Sequence, residues 1–220
     1  MLHSILLERG WLALQPESFQ QAVVAAGQIL HFEGGETIFS VGDPPGGAYA
    51  ILRGAAAIEI APARDGPHFV HVSAPGAWLG EISFFTGEKR RITFRTVAAA
   101  DLFFLPLDAM ERLSKHDSEA MRRFAQITAQ NVDTTFRKIE ILLDPDPMRR
   151  IAGTLLQCRG EMKRGPIFLS QADLGRMANV SRNTVVRTLK EFSQRGWLRP
   201  GYARIEILEP SKLDRFNRKT

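Results

Sequence analysis

The chain has 220 residues, 44% of them hydrophobic, enough for two domains with cores of their own. Its single cysteine excludes an internal disulfide framework and a cysteine-rich metal or iron–sulfur site within one chain. The net charge of +5 is split: residues 149–220 hold 16 Lys and Arg against 6 Asp and Glu (+10), and residues 1–148 hold the remaining 13 against 18 (−5), the footprint of a polyanion binder on an acidic body.

The N-terminal MLHSILLERGWLAL is too short and too interrupted by charge for a signal peptide, and no run of about 18 apolar residues follows. A soluble, cytoplasmic protein with no membrane partner is expected. One or two short helices are predicted within residues 1–25, with a restart at Pro16-Glu17. From Gln28 to about Leu107 the pattern changes to at least seven short strands, turning at Gly34-Gly35, Gly42-Asp43, Gly54, Asp65-Gly66 and Pro75-Gly76. Close-spaced strands of this kind make a small barrel or roll. Asp108 then opens a helical tract predicted to reach Leu143. Within it Met121, Ala125, Thr128, Val132, Thr135, Ile139 and Leu142 recur at alternating steps of four and three, a narrow seam for a second copy of the chain. Phe124, Ile127 and Phe136 fall outside the seam and can pack on the roll; a single broad core face is the other reading. Asp144-Pro145-Asp146-Pro147 ends the tract and forms a natural hinge. Cys158, on the apolar face of IAGTLLQC, reads as a buried structural thiol.

The stretch LSQADLGRMANVSRNTVVRTLKEF, Leu169 to Phe192, carries the most information. It reads as two short helices joined by a tight turn. Ser170 can cap the first, with Asp173 as the reciprocal partner, and Ser181 the second. Ala178-Asn179-Val180 is the turn, and Asn179 tolerates a left-handed backbone. Leu174, Met177, Val185, Leu189 and Phe192 face inward, which leaves Arg182, Asn183, Thr184, Arg187 and Lys190 outside. Arginine matches the two acceptors of a guanine edge, asparagine suits adenine, and hydroxyls or helix N-termini suit phosphate. An ordinary amphipathic pair with a solvated charged face would share the periodicity. The basic charge and the alternating, turning segment Gly196–Ile207, which reads as a two-stranded wing, favour DNA.

These residues resemble the bacterial regulators typified by the cyclic-AMP receptor protein and the fumarate–nitrate reductase regulator, the Crp–Fnr family. The likeness spans nearly the whole chain: the glycine pattern of the roll, the segment Gly80-Glu81-Ile82-Ser83-Phe84-Phe85-Thr86-Gly87-Glu88-Lys89-Arg90, the long helix, the hinge, and Ser181-Arg182-x-Thr184-x-x-Arg187. It implies an α+β chain with an N-terminal β-roll (jelly-roll, cyclic-nucleotide-binding-like) domain over residues 1–117, a dimerisation helix and hinge over 118–147, and a C-terminal winged helix-turn-helix over 148–220. It further implies a homodimer on pseudo-palindromic double-stranded DNA. The DNA-contacting set is then Ser170, Ser181, Arg182, Asn183, Thr184, Arg187, Lys190 and Arg204, with Tyr202 an alternative on the wing. Asn183 stands where many members carry glutamate, so the family's usual half-site need not transfer.

In cyclic-nucleotide-binding members a Gly-Glu pair holds the ribose, and an arginine followed by a small residue holds the cyclic phosphate. Gly80 and Glu81 match the pair. Arg90 matches the arginine, or Arg91 if one extra loop residue is allowed, and the following hydroxyl is missing either way. The adenine-contacting Thr-Ser of the long helix falls at Asp133-Thr134 or Thr134-Thr135. The candidate effector set is therefore Gly80, Glu81, Arg90, Arg91, Thr134 and Thr135, for cyclic AMP or another small anionic ligand. An internal Glu81–Arg90 ion pair without any ligand is the alternative. No cofactor is certain. His68 and His71, three apart in a strand, point to opposite faces and are poor co-ligands for one metal.

The expected function is a sequence-specific transcription regulator in which the roll biases the recognition helices through the hinge, with RNA polymerase a partner if the protein is an activator. The alternative is a cyclic-nucleotide-binding regulatory protein whose C-terminal domain docks on protein, against which the +10 charge counts. No Ser/His/Asp arrangement or phosphate-loop motif is visible, so an enzyme is not expected.

Overall fold

The computed structural model describes residues 4–60, 68–162 and 165–218. The N-terminal segment forms α1 (Ser4–Glu8), a 3-10 turn at Leu12–Leu14 and α2 (Glu17–Ala26). Pro16 stands immediately before α2, where its fixed φ and missing N–H cost nothing. Eight short strands follow among the described residues: β1 (Gln28–Phe32), β2 (Thr37–Phe39), β3 (Ala48–Arg53), β4 (Ala56–Ile60), β5 (His68–Ser73), β6 (Trp78–Leu79), β7 (Thr93–Thr96) and β8 (Ala100–Leu105). One helical turn, α3 (Ile82–Thr86), interrupts them. They form two four-stranded sheets in the orders β1-β8-β3-β6 and β2-β7-β4-β5. The long pairing of β1 with β8 is antiparallel, from Gln28↔Phe104 to Phe32↔Ala100. This is the β-roll the turn signals predict; the Asp65-Gly66 turn lies outside the described residues.

The helical tract is two helices rather than one. α4 (Leu107–His116) stops at Asp117, whose Oδ1 accepts the Glu119 N–H at 2.9 Å and turns the chain into α5 (Ala120–Leu143). An aspartate that bonds its own downstream backbone competes with helix continuation, which is why the tract breaks there. Phe124 and Ile127 of α5 are buried as expected, but Phe136 is 59% exposed. Phe136 lies on the open side of α5 with the exposed seam residues Met121, Val132, Ile139 and Leu142.

The remaining elements are α6 (Pro147–Met162), α7 (Gln171–Met177), α8 (Arg182–Gln194), β9 (Leu198–Gly201), β10 (Arg204–Ile207) and α9 (Pro210–Asn217). By compactness the described residues within Met1–Ile58 and Ser73–Thr134 make one unit, and those within Glu59–Val72 and Thr135–Thr220 another. The core of the first centres on Trp11, whose ring lies 5.0 Å from Trp78, 5.5 Å from Phe124 and 6.0 Å from Phe19. Its indole N–H donates to the Arg123 carbonyl at 2.6 Å, so the one polar atom of a fully buried ring is satisfied. The second unit closes around Phe192, with Trp197 at 5.4 Å and Phe216 at 5.3 Å. Cys158 is buried there, as its apolar setting predicts.

Candidate nucleic-acid interface and effector site

The helix pair is built as its sequence dictates. Ser170 Oγ accepts the Asp173 N–H at 3.1 Å and shares a 2.5 Å bond with the Asp173 carboxylate. Ser181 Oγ accepts the Thr184 N–H at 3.2 Å and lies 2.9 Å from the Thr184 hydroxyl. Asn179 takes the left-handed conformation, φ 50°. Gly175 is buried at the turn, where a Cβ would sit 3.1 Å from the Val180 carbonyl, so the two helices approach as closely as a glycine permits. Val185, Thr188, Leu189 and Phe192 anchor α8 inward.

Arg182, Asn183, Arg187 and Lys190 are exposed along the other side of α8, and Thr184 is half-buried at its first turn. Arg182, Arg187 and Lys190 make no ion pair among the described residues, whereas Arg149, Arg176, Arg195 and Arg199 of the same unit are each paired with a carboxylate. Unpaired guanidinium groups on one helix face are available to an external anion. The wing carries Arg204 and, at its tip, Tyr202, which is 99% exposed beside Ala203 at φ 49°. A short bridge between Ile167 and Ile205 joins the wing to the segment before α7, a pairing that the sequence pattern did not reveal. Val186 also escaped sequence reasoning: it is 45% exposed, between Asn183 and Lys190.

Arg150 of α6 braces this reading head. Its Nε donates to the Ala178 carbonyl at 3.0 Å, its Nη2 to that of Asn179 at 3.2 Å, and its Nη1 to that of Asp144 at 2.9 Å. One guanidinium therefore ties the hinge to the turn that precedes α8. Asp144 is held in addition by Arg149, at 2.9 Å.

In the roll, Gly80, Glu81 and Arg90 of the expected effector set are bonded from within. Arg90 is 6% exposed, stands over the Phe39 ring, and donates to the Gly80 carbonyl at 2.5 Å and the Gly47 carbonyl at 2.7 Å. Gly80 has φ +95°, and a Cβ there would meet Arg90 Nη1 at 2.8 Å, so glycine is required both by the backbone and by the guanidinium. Burial lowers the Arg90 pKa. Glu81 is 1% exposed and accepts from Thr128 at 3.0 Å and Asn131 at 3.1 Å, both on α5. Burial raises its carboxyl pKa, against the opposing pull of its own backbone N–H, these two donors and Arg90. Glu81 and Arg90, which the sequence offers as an ion pair, are thus held by separate partners. Arg91 is exposed, and Thr134 and Thr135 lie further along α5 than the donors that hold Glu81. The sequence pattern puts Thr128 in the seam and gives Asn131 no role. The signal was present: positions 124, 127, 128 and 131 continue one helical stripe. Among the described residues no group of His, Cys, Asp and Glu could hold a metal, and no helix is long and apolar enough to cross a membrane.

A β-roll with a long helix beside it, followed by a capped helix pair and wing, defines a DNA-binding transcription regulator. Residues 29–117 match the cyclic nucleotide-binding domain and residues 149–216 the Crp-like helix-turn-helix domain. The chain is similar to the CRP-like cAMP-activated global transcriptional regulator of Mycobacterium tuberculosis, 24% identical over 195 residues that cover 86% of this chain and 87% of that one. It is also similar to the transcriptional regulator SdrP of Thermus thermophilus, 26% identical over 190 residues, 83% of this chain and 90% of that one. The structure of FixK2 from Bradyrhizobium japonicum shares the fold, with a TM-score of 0.76 at 18% identity over 88% of this chain and 98% of that one. The chain belongs to the Crp–Fnr family of transcription regulators.

Proposed function

We propose that two copies of the chain, paired along α5, place α8 of each into successive major grooves of a pseudo-palindromic duplex, about 34 Å apart. The observation that carries this reading is the row of unpaired cations on α8, set on a helix whose other face is fully buried. Arg182, Asn183 and Arg187 read base edges; Ser170, Ser181, Thr184, Lys190 and Arg204 hold phosphates. The exposed apolar residues of α5, with Phe136 among them, support the pairing. The protein acts in the cytoplasm, where its DNA is, and meets RNA polymerase if it activates.

The roll takes a small anionic effector such as cyclic AMP only by exchange. A phosphate at Arg90 must displace the Gly80 and Gly47 carbonyls, and a ribose hydroxyl at Glu81 must compete with Thr128 and Asn131. These same bonds favour a second reading, in which the roll holds α5 in place with no ligand at all. Selection of bound duplexes by the full-length protein, with and without cyclic AMP, tests both. Recovery of a symmetric site is expected; failure to retain any duplex at low ionic strength would overturn the DNA reading. Equal recovery with and without nucleotide selects the ligand-free roll.

A further inference from the structure

We propose that Val186 is a specificity determinant that reads the 5-methyl group of a thymine in each half-site. The inference rests on the reading of α8 as the recognition helix. Val186 is the exposed apolar side chain of that helix, 45% accessible, and every other exposed residue of α8 is polar or charged. At 100° per residue it lies about 40° from both Arg182 and Lys190 and about 60° from Asn183, among the cations and the amide of the outward face. It is not one of the buried anchors of the helix, which are Val185, Thr188, Leu189 and Phe192. Valine is also a costly choice for an exposed helical position, because branching at Cβ restricts its rotamers against the preceding turn. That stiffness has a use at an interface, since a side chain with one preferred rotamer loses little freedom on contact.

The chemistry of the partner is narrow. Of the four bases, only thymine offers an apolar group in the major groove, the methyl on C5. A branched aliphatic side chain flanked by an amide and a guanidinium fits a thymine between two hydrogen-bonded base pairs. Cytosine methylated at C5 presents the same group at the same place, so recognition would extend to it.

The test uses full-length protein and the duplex it selects. Each thymine of the site is replaced in turn by deoxyuridine, which removes the methyl and keeps every hydrogen-bonding group. One position per half-site should weaken binding about fourfold, and about fifteenfold when both half-sites are changed, the value of one buried methyl. Val186→Ala should bind the thymine and deoxyuridine duplexes equally, and Arg187→Ala should keep the methyl preference while relaxing a different position. If no deoxyuridine substitution distinguishes wild type from Val186→Ala while Arg187→Ala still alters the selected site, the methyl reading is wrong and the role of α8 stands. If neither variant changes the selected site, α8 is not the reading helix and both fall. A melting curve for Val186→Ala matching wild type separates these outcomes from misfolding.

Discussion

At the scale of single residues, charge and burial separate reading groups from holding groups. Arg187 is exposed and unpaired among the described residues, so Arg187→Ala should leave the fold intact, cost about 1–3 kcal/mol of specific binding and relax one base pair, measured by competition between selected and scrambled duplexes. Glu81 is the opposite case. Its folded pKa lies above the ordinary value, so the folded state binds the proton more tightly, and stability falls as pH rises from 4.5 through the raised value. Glu81→Gln should flatten that fall in a pH series of melting curves and abolish any cyclic-nucleotide response while sparing the fold. Lys138 titrates in the other direction. Its ammonium, 3.4 Å from the Thr154 hydroxyl and near Cys158, is held by burial at a pKa of about 8 against 10.5. The unfolded chain therefore holds the proton longer, and stability rises between those two values, by roughly 3 kcal/mol at most. Lys138→Met should raise the melting temperature at pH 7 and remove the alkaline rise.

At the scale of elements, α5 carries two unlike faces, one packed and one open. Its first half is fixed by Phe124, Ile127, Thr128 and Asn131, and its open side by nothing within the chain's own described core. If the chain pairs along this side as proposed, Ile139→Glu should give a monomer in sedimentation where wild type gives a dimer, weaken DNA binding by the loss of the second half-site, and leave the helical signal in circular dichroism unchanged. The helix pair was the most legible element: caps, turn and inward face are all local, and Asn179 took the backbone conformation its side chain tolerates. The roll was legible as a class because its turns are glycine-marked, but its pairing order depends on contacts far apart in sequence. The tract from Asp108 reads as continuous in the sequence and is broken in the fold, since heptad counting is blind to one aspartate that bonds its own backbone. Phe136, expected to be covered, is exposed: hydrophobicity says that a side chain seeks cover, not which partner supplies it. The helical stripe puts Thr128 and Asn131 on the packed face of α5, but not against Glu81, because 47 and 50 residues of chain separate them from it.

At the scale of the molecule, the division into an acidic body and a basic C-terminal third makes binding a counterion problem. Affinity for duplex should fall on the order of a thousandfold between about 50 and 200 mM salt, with a linear log–log plot, and substitution of Lys190 by alanine should lessen the slope by about one per protomer. A slope near zero would mean that the basic surface meets something other than phosphate. The brace at Arg150 has an outcome for heredity as well as for mechanics. Its bonds run to the backbone oxygens of residues 144, 145, 178 and 179, which every residue type possesses, so the brace itself depends on no side chain there. The fork itself cannot drift: a lysine there could reach one oxygen at a time. Substitution around this corner is limited by other demands, the left-handed backbone at Asn179 and the Arg149 pair at Asp144, and not by the brace, so that descendants can alter what they recognise without rebuilding the joint that aims it.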